Sequence, residues 1–369
     1  MWILLGIIVV LVVMVYVLLN YYPAFGARQS KARKAQLSRS AQYGAKKFRN
    51  ATPAPIDNTN MGGKIKLLVE FAKGNPKGRP AIPVAVEPFR GSNGEVGAEQ
   101  SGKAAITWFG HSAAMLQLDG KTLLLDPMFG RAPSPFPFIG GKRFSSKLPF
   151  EIEQLPLIDA VIISHDHYDH LDYGSIVKLK GKVKRFIVPL GVAPHLVRWG
   201  VSAAIIEEHD WWDEFEYAGL RLACTPARHF SGRSLSDRDA TLWCSWVIEG
   251  RKSKIFFSGD SGYGPHFKEI GDKYGPFDLT LMECGQYDER WAAIHMMPEE
   301  TVQAHLDVQG KVMIPIHWGA FTLALHDWTD PVERAVKAAM DRQARIATPK
   351  IGETVFVPSA AYPSLPWWR

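Results

Sequence analysis

Cysteine is scarce in this chain, which has three cysteines in 369 residues. Cys224, Cys244 and Cys284 are widely spaced and form no CxxC pair. They exclude a disulfide scaffold and a zinc site built from cysteines, and they favour a reducing compartment. Hydrophobic residues make up 46% and charged residues 22% of the chain, which excludes wholesale disorder and collagen-like repeats. The length allows two average domains or one large α/β domain.

Acidic residues are absent from the first 50 positions, where eight cations lie between Arg28 and Arg49. The whole chain has 43 Lys and Arg against 37 Asp and Glu, so the residues after position 50 have 35 cations and 37 anions. Their net charge is −2, and the folded part is therefore not broadly basic. We expect no nucleic-acid partner, and a nuclease, which needs a basic groove, is disfavoured.

An uncharged run from Trp2 to Leu19 opens the chain. As a helix it spans about 27 Å, close to the hydrocarbon thickness of a bilayer, so we predict a transmembrane anchor at residues 1–22. A cleaved signal peptide is the alternative, because AFGA near residue 24 offers a small-residue cleavage site. Against it, no Lys or Arg precedes the run, and the run is longer than a normal signal core.

The cations after the apolar run predict its orientation. By the positive-inside rule, the chain after residue 20 lies on the cytoplasmic side, which makes this a single-pass protein of the cell (inner) membrane. The same cations either attract anionic lipid head groups or are simply solvated. We interpret residues 23–100, rich in Pro, Gly and Asn after position 50, as a basic juxtamembrane segment and linker with one short helix at residues 64–72.

From Ala104 onward, short apolar runs alternate with turn signals and with helical patterns at residues 173–179, 265–273, 298–308 and 331–342. Runs such as AVIIS and KVMIPI are apolar throughout, as expected of strands that helices cover on both faces. Hairpins early and βα units later predict a layered α/β sandwich for residues 101–369.

Four potential metal ligands lie within six residues, directly after the predicted strand 160–164: His165, His167, Asp169 and His170. Imidazole nitrogens and a carboxylate suit ions of the zinc class. A helix could not bring His165 and His167 together, since residues two apart do not face each other, whereas a loop at the end of a strand can. The HxHxDH pattern therefore predicts a metal site.

Three further candidates each follow an apolar strand: His229, Asp260 and His317. With the HxHxDH loop they make seven ligands, a number that fits two metal ions. We assign His165, His167 and His229 to the first ion and Asp169, His170 and His317 to the second, with Asp260 reaching both. The ligand set favours two Zn²⁺ ions, although iron and manganese also bind such sites.

The order HxHxDH, His, Asp, His resembles that of the metallo-β-lactamase superfamily. Within it, the chain is similar to the branch of N-acyl phosphatidylethanolamine-hydrolysing phospholipase D between about residues 104 and 345. The matching stretches include ITWFGHSAAMLQLDGKTLLLDPMF, LPLIDAVIISHDHYDHLDY, TPARHFSGRSLSD, FFSGDSGYGPHFKEIGDKYGPFDL, HMMPEE and IPIHWGAFTLALH. The resemblance implies an αββα sandwich and a zinc phosphodiesterase that cleaves an N-acylated phospholipid to phosphatidic acid and an N-acylethanolamine.

In the mechanism we expect, two zinc ions about 3.5–4 Å apart hold a hydroxide that attacks phosphorus in line with the leaving alkoxide. The catalytic residues would be Asp169, Asp260 and His295. Asp260 would bridge the ions and orient the hydroxide. His295 matches a family histidine near the reacting phosphate and would contact the phosphate or donate a proton to the leaving group. Its alternative is a solvent-facing histidine at a helix start.

The expected substrate-binding residues precede His295: Gln286, Tyr287 and Arg290. Tyr287 could hydrogen-bond the phosphate, and Arg290 could pair with phosphate or with Asp288 or Glu289. His111 and Asp126 are expected to orient metal ligands without binding metal. Glu283 and Cys284 depart from the small apolar residues of the family, and Cys284 is an adventitious ligand or a buried filler.

Two other functions compete with this interpretation. The same metals could serve hydrolysis of a simple phosphodiester, a lactone or a β-lactam, because sites rather than folds determine substrates. A non-catalytic, membrane-tethered binding protein is the second alternative. The presence of all seven ligands argues against it.

Overall fold

Two β-sheets stack face to face in the computed structural model, which describes residues 2–54, 61–89, 103–234 and 236–369. Residues 55–60 and 90–100 of the predicted linker, and residues 101–102 of the predicted domain, lie outside the described residues. The first sheet has seven strands in the spatial order β15 (Thr354–Val357), β3 (Ala104–Trp108), β4 (Ala114–Leu118), β5 (Lys121–Leu125), β6 (Ile158–Ile162), β7 (Val183–Pro189) and β8 (Ile206–His209). The second has six, in the order β14 (Met313–Ile316), β13 (Leu279–Glu283), β12 (Lys254–Phe257), β11 (Ser245–Glu249), β10 (Leu220–Thr225) and β9 (Glu214–Tyr217). A small hairpin of β1 (Tyr43–Gly44) and β2 (Lys47–Phe48) precedes both.

Helices cover the outer faces of both sheets. The α-helices are α1 (Trp2–Tyr21), α2 (Lys31–Leu37), α3 (Met61–Lys73), α4 (Tyr173–Leu179), α5 (Ala193–Arg198), α6 (His266–Tyr274), α7 (Pro298–Asp307) and α8 (Asp330–Asp341). Short 3₁₀ helices lie at Pro23–Phe25, Ile152–Gln154, Ala203–Ile205 and Glu289–Trp291. Helices α4 and α5 pack on the seven-stranded sheet, and α6, α7 and α8 pack on the six-stranded sheet. The layer order is αββα, which confirms the predicted fold class.

Successive strand residues alternate between the inter-sheet core and the outer layers. In β5, Leu123 and Leu125 point between the sheets while Leu124 packs under the helices of the first layer. In β12, Phe257 lies between the sheets and Phe256 lies against the outer helices. Because both faces of these strands are buried, their sequences are apolar throughout rather than alternating.

Helix α1 is a candidate membrane span by length and composition. It has 20 residues, a mean hydropathy of 3.2, and no part of that apolar window is buried. A signal sequence near an N-terminus meets the same two criteria.

The chain leaving α1 is held against the folded domain by a buried arginine. The Nε and Nη2 atoms of Arg233 donate to the carbonyl of Ala24 at 3.0 and 2.8 Å. Nη1 of the same guanidinium donates to the carbonyls of Asp166 and Leu171 at 2.5 and 2.8 Å. Trp199 adds a bond from Nε1 to the carbonyl of Pro23 at 2.7 Å. Arg233 therefore joins the end of the apolar helix to the HxHxDH loop.

We predict that Arg233→Met loosens this junction and lowers the free energy of unfolding by about 3 kcal/mol, since three buried carbonyls lose their donors. Denaturant unfolding of the detergent-solubilised chain measures the loss, and faster tryptic cleavage between Arg28 and Arg49 reports the released segment. Arg238→Met is the matched control, because the Arg238 side chain is half exposed and its contacts, Asp239 at 3.7 Å and the Phe230 ring at 4.3 Å, are not part of this junction. Equal losses of stability and equal rates of tryptic cleavage in the two variants would contradict the role of Arg233 in this junction.

Candidate metal centre

Three imidazole nitrogens converge beyond the ends of β6 and β10. Nδ1 of His167 lies 2.9 Å from Nε2 of His165 and 3.2 Å from Nε2 of His229. A tetrahedral zinc ion with bonds of 2.0–2.1 Å separates its ligand atoms by about 3.4 Å, so the three nitrogens are spaced for one shared ion. His165 and His229 are buried, and His167 is partly buried.

A second ligand group adjoins the first. Nε2 of His170 lies 3.4 Å from Oδ2 of Asp169, and Nε2 of His317 lies 3.9 Å from the same oxygen. The Asp260 carboxylate stands between the groups, with Oδ2 3.1 Å from Nε2 of His170 and 3.8 Å from Nε2 of both His165 and His229. All seven predicted ligands thus meet in one place, with Asp260 adjacent to both groups.

Hydrogen bonds fix the orientation of the ligand imidazoles. Four rings use their other nitrogen for such a bond: His165 to Oγ of Ser164 at 2.9 Å, His170 to Asp126 at 2.7 Å, His229 to the carbonyl of Ile294 at 2.9 Å and His317 to Oγ of Ser112 at 3.1 Å. This arrangement is typical of metal-binding histidines, whose outer nitrogen is held by a carboxylate, hydroxyl or carbonyl. His111 contacts Oδ2 of Asp169 at 2.8 Å, so both His111 and Asp126 lie where they can orient ligands.

Two buried atoms in the cluster make no hydrogen bond of normal geometry among the described residues, although each lies 3.1 Å from a side chain of opposite charge type: Nε2 of His170 and Oδ1 of Asp260. Unpartnered buried polar atoms are costly, and each of these two is a potential metal-ligand atom. The donor set, its spacing and its orphaned atoms fit two divalent ions.

Electrostatics favour the ligand form of most of these side chains. Burial lowers the pKa values of His165, His229 and His317 well below the usual value for histidine. Burial also lowers the pKa of His167, to about 4. These imidazoles are neutral at neutral pH and can donate a lone pair to a metal. Burial also raises the pKa of Asp260 to about 7, and the neighbouring His170 opposes this shift only in part. Divalent ions would provide the missing positive charge.

The backbone is strained at three positions of this centre. His111, Asp126 and His317 have φ angles of 55°, 39° and 66°, in the left-handed region that non-glycine residues rarely adopt. Each follows the end of a strand and turns its side chain toward the cluster. Such strain concentrates at functional sites, where surrounding structure over-determines the conformation.

His295 lies beside the cluster and not in solvent. Its ring centroid is 5.0 Å from that of His229 and 5.2 Å from that of His317. Its Nδ1 is 2.5 Å from Oε1 of Glu283, a fully buried acid at the end of β13. Burial raises the pKa of Glu283, an effect that backbone amides of Ser261 and Met296 oppose by donating to it. Cys284 is also buried and belongs to none of the candidate metal groups of the described residues.

The polar groups of the three expected substrate-binding residues are engaged inside the protein. Gln286 donates to the carbonyl of Phe321 at 3.1 Å and accepts from the amide of Leu323 at 2.8 Å. The Tyr287 hydroxyl donates to Asp330. Arg290 pairs with Asp288 at 2.6 Å and with Glu70 at 2.7 Å, which is the ion-pair alternative. These bonds shape the loop before His295, and Gln286 also donates to the backbone carbonyl of the candidate ligand His317 at 3.4 Å.

Sequence reasoning missed Asn50. Its Nδ2 donates to the carbonyl of His229 at 2.8 Å, and its Oδ1 accepts from the amide of the same residue at 3.1 Å and from Nε1 of Trp243 at 2.9 Å. The segment between the apolar helix and the folded domain thus holds a candidate ligand. Asn50 and His229 are 179 residues apart, so no local pattern could reveal the pair.

Comparisons with known proteins place the chain in a family. The model described as "Beta-lactamase superfamily domain" matches residues 121–318. An uncharacterised protein of Mycobacterium tuberculosis is 41% identical over 94% of this chain and 92% of its own length. N-acyl-phosphatidylethanolamine-hydrolyzing phospholipase D 1 of Caenorhabditis elegans is 34% identical over 64% of this chain and 69% of that protein. The mitochondrial enzyme of the same kind from Saccharomyces cerevisiae is 31% identical over 81% of this chain and 62% of that protein.

Solved structures share the fold. A metallo hydrolase from Ignicoccus hospitalis superposes with a TM-score of 0.52 at 22% identity, over 69% of this chain and 98% of its own. An isothiocyanate hydrolase from Delia radicum gut bacteria superposes with a TM-score of 0.53 at 19% identity, over 68% and 98%.

We predict that Asp126→Asn weakens binding of one of two metal ions by about 10–100-fold, because His170 loses the carboxylate that orients it. Zinc titration of chelator-stripped protein in the presence of a competing indicator measures both affinities. Asp159→Asn is the control, since Asp159 is partly exposed and accepts from the amide of Thr122, away from the centre. Two unchanged affinities in Asp126→Asn would contradict the assignment.

Proposed function

This chain belongs to the β-lactamase superfamily and is a metal-dependent hydrolase of the metallo-β-lactamase fold, and on that premise we propose that it is a dinuclear zinc phosphodiesterase of membrane phospholipids. Its substrate would be an N-acyl phosphatidylethanolamine-type lipid, cleaved to phosphatidic acid and an N-acylethanolamine. The observation that carries the proposal is the position of Asp260 between two ligand groups, with Oδ2 3.1 Å from His170 on one side and 3.8 Å from His165 and His229 on the other.

Two ligand groups that share a carboxylate suit phosphodiester chemistry. Bound at these groups, two divalent ions supply Lewis acidity that stabilises charge on phosphoryl oxygens and acidifies water. The residues of the chain provide the rest of the site. Asp260 would orient the attacking water, Asp169 and His170 would hold one side of the site, and His295 would contact the phosphate or give a proton to the leaving alkoxide.

The lipid substrate is supported by two relatives named for N-acyl-phosphatidylethanolamine hydrolysis and by apolar surface beside the site. On α3, Ile65, Leu68 and Val69 are exposed, with Leu68 at 69%. The same helix is tied to the loop before His295 by the stacking of Phe71 on Trp291 at 6.2 Å. An exposed apolar face on an amphipathic helix is typical of binding to a membrane surface.

A second apolar surface adjoins the exit of α1. Phe138 and Ile139 are 80% and 54% exposed at the tip of a loop. In the same loop, Phe136 stacks on Tyr22 with ring centroids 5.1 Å apart, so the tip lies next to the end of the apolar helix. We name the exposed residues of α3 and this tip the apolar rim: Ile65, Leu68, Val69, Phe138 and Ile139. The rim would rest on the bilayer from which the substrate is drawn.

The same proposal includes the membrane topology. Residues 1–22 would form a single-pass anchor in the cell (inner) membrane, residues 23–100 a basic juxtamembrane segment and linker, and residues 101–369 a hydrolase domain on the cytoplasmic side. The hydrogen bonds from Arg233 to the carbonyl of Ala24 support a fixed position of that domain relative to the anchor.

We predict that the detergent-purified chain, loaded with zinc, releases phosphatidic acid and N-acylethanolamine from N-acyl phosphatidylethanolamine in mixed micelles. Asp260→Asn should lower the rate by about two orders of magnitude or more, since metal-ion catalysis contributes several kcal/mol. Mass spectrometry of both products measures the reaction, and a chelated sample is the parallel control. If the protein hydrolyses a nitrophenyl phosphodiester but leaves the lipid intact, the lipid substrate is wrong. If it hydrolyses lactones and no phosphodiester, the assignment as a phosphodiesterase is wrong.

We predict that a double substitution, Phe138→Ser with Ile139→Ser, lowers kcat/KM on vesicle-borne lipid by about tenfold, because the tip loses apolar area that enters the interface. The rate on a soluble nitrophenyl phosphodiester should not change. Met340→Ser on α8, 73% exposed, is the control for loss of an exposed apolar side chain elsewhere. Equal losses on both substrates would contradict a role of the tip in membrane contact.

A further inference from the structure

Glu283 lies between the two strands that lead into metal-ligand candidates. It ends β13, the strand between β12, which precedes Asp260, and β14, which precedes His317. Its side chain is 0% exposed. Because it has no contact with solvent, its carboxyl group needs hydrogen-bond partners within the protein.

The two carboxyl oxygens of Glu283 reach different parts of the centre. Oε2 accepts from the backbone amide of Ser261, the neighbour of Asp260, at 2.5 Å. Oε1 lies 2.5 Å from Nδ1 of His295. His295 is its single ion-pair partner among the residues that the structure describes. One side chain thus connects the Asp260 turn to the His295 loop.

The backbone of Glu283 is fixed as well. Its backbone amide donates a hydrogen bond to Oγ of Ser258 at 3.0 Å. Its backbone carbonyl accepts one from Oγ1 of Thr301 at 2.7 Å. Thr301 belongs to α7, which begins three residues after His295. The carboxyl group therefore projects from a rigid strand end, as a residue that orients another side chain must.

We propose that Glu283 is a positioning residue for His295. Its bond to Nδ1 sets the plane of the imidazole and leaves Nε2 for the substrate, and its bond to Ser261 fixes the distance from His295 to Asp260. Whichever partner holds the shared proton, the ring has one orientation. The inference rests on the proposed function in one respect, namely that His295 acts in phosphodiester cleavage.

A free imidazole could rotate about its side-chain torsions and exchange its proton between two nitrogens. Carboxylates that orient histidines in enzymes prevent both, and removing such a partner costs about 10–100-fold in activity. A structural acid would have another signature, because its loss would lower stability without acting through His295.

The test is a double-mutant cycle in the full-length, zinc-loaded chain, assayed on a nitrophenyl phosphodiester and on the lipid. We expect Glu283→Leu to lower kcat by about 10–100-fold with two metal ions retained. Glu283→Gln, which can still form one hydrogen bond to the ring, should recover part of the rate. In a His295→Ala background, Glu283→Leu should cause almost no further loss, since coupled residues are not additive.

The control is Glu300→Leu, which removes a nearby glutamate that accepts from the amide of Met297 at 3.0 Å and caps α7. It should leave kcat unchanged. Losses that multiply in the cycle, or equal losses for Glu283→Gln and Glu283→Leu with normal metal content, would overturn the proposal.

A measurement without turnover separates this inference from the proposed function. NMR of isotope-labelled, zinc-loaded protein, with His295 assigned by its loss in His295→Ala, should show a slowly exchanging proton in the hydrogen bond between Nδ1 of His295 and Oε1 of Glu283. A freely exchanging proton there would overturn the positioning role, even if lipid hydrolysis were observed. A protected proton in a protein that hydrolyses no phosphodiester would reject the proposed function while retaining the Glu283–His295 bond.

Discussion

The constraint on which the rest of the structure depends is a buried cluster of imidazoles and carboxylates. Among the described residues, no lysine or arginine forms an ion pair with this cluster. Three carboxylates, Asp126, Asp169 and Asp260, lie within hydrogen-bond or ion-pair distance of His170. These acids raise the pKa of His170 well above its usual value, although burial opposes them. Without a counter-charge such a cluster is unstable in a low-dielectric interior, and divalent ions are the charges for which its geometry is suited.

The rest of the fold holds this cluster in place. Strand ends project the ligands from rigid sheets, and both sheets contribute, so the inter-sheet core fixes the distance between the two ligand groups. Hydroxyls, a carboxylate and a carbonyl then set the plane of each ring. The strained backbone at Asp126 and His317 shows where the requirements of the site prevail over local conformational preference.

The sequence predicted what repeats or lies close together in the chain. Apolar runs predicted the two-layered sandwich, and the helix predicted at 173–179 has those bounds in α4. The HxHxDH spacing predicted a loop in which His165 and His167 can converge, because spacing alone excludes a helix there. Partners in hydrogen bonds across long separations could not be predicted. Asn50 has no motif, and the bonds of Gln286 and Tyr287 depend on how their loop packs against the chain after His317.

Those long-range hydrogen bonds also connect the segment after α1 to the metal-ligand candidates. Arg233 joins Ala24 to the carbonyl of Asp166, between two candidate ligands, and Asn50 holds the backbone of His229, a third ligand. The chain from the apolar helix to the folded domain therefore touches the same three-imidazole group at two points. A displacement of this segment would shift ligand atoms whose spacing has to match an ion to within a few tenths of an ångström. The geometry of the first ligand group is thus coupled to the position of the chain that leaves the apolar helix, through the side chains of Arg233 and Asn50, which bond to backbone.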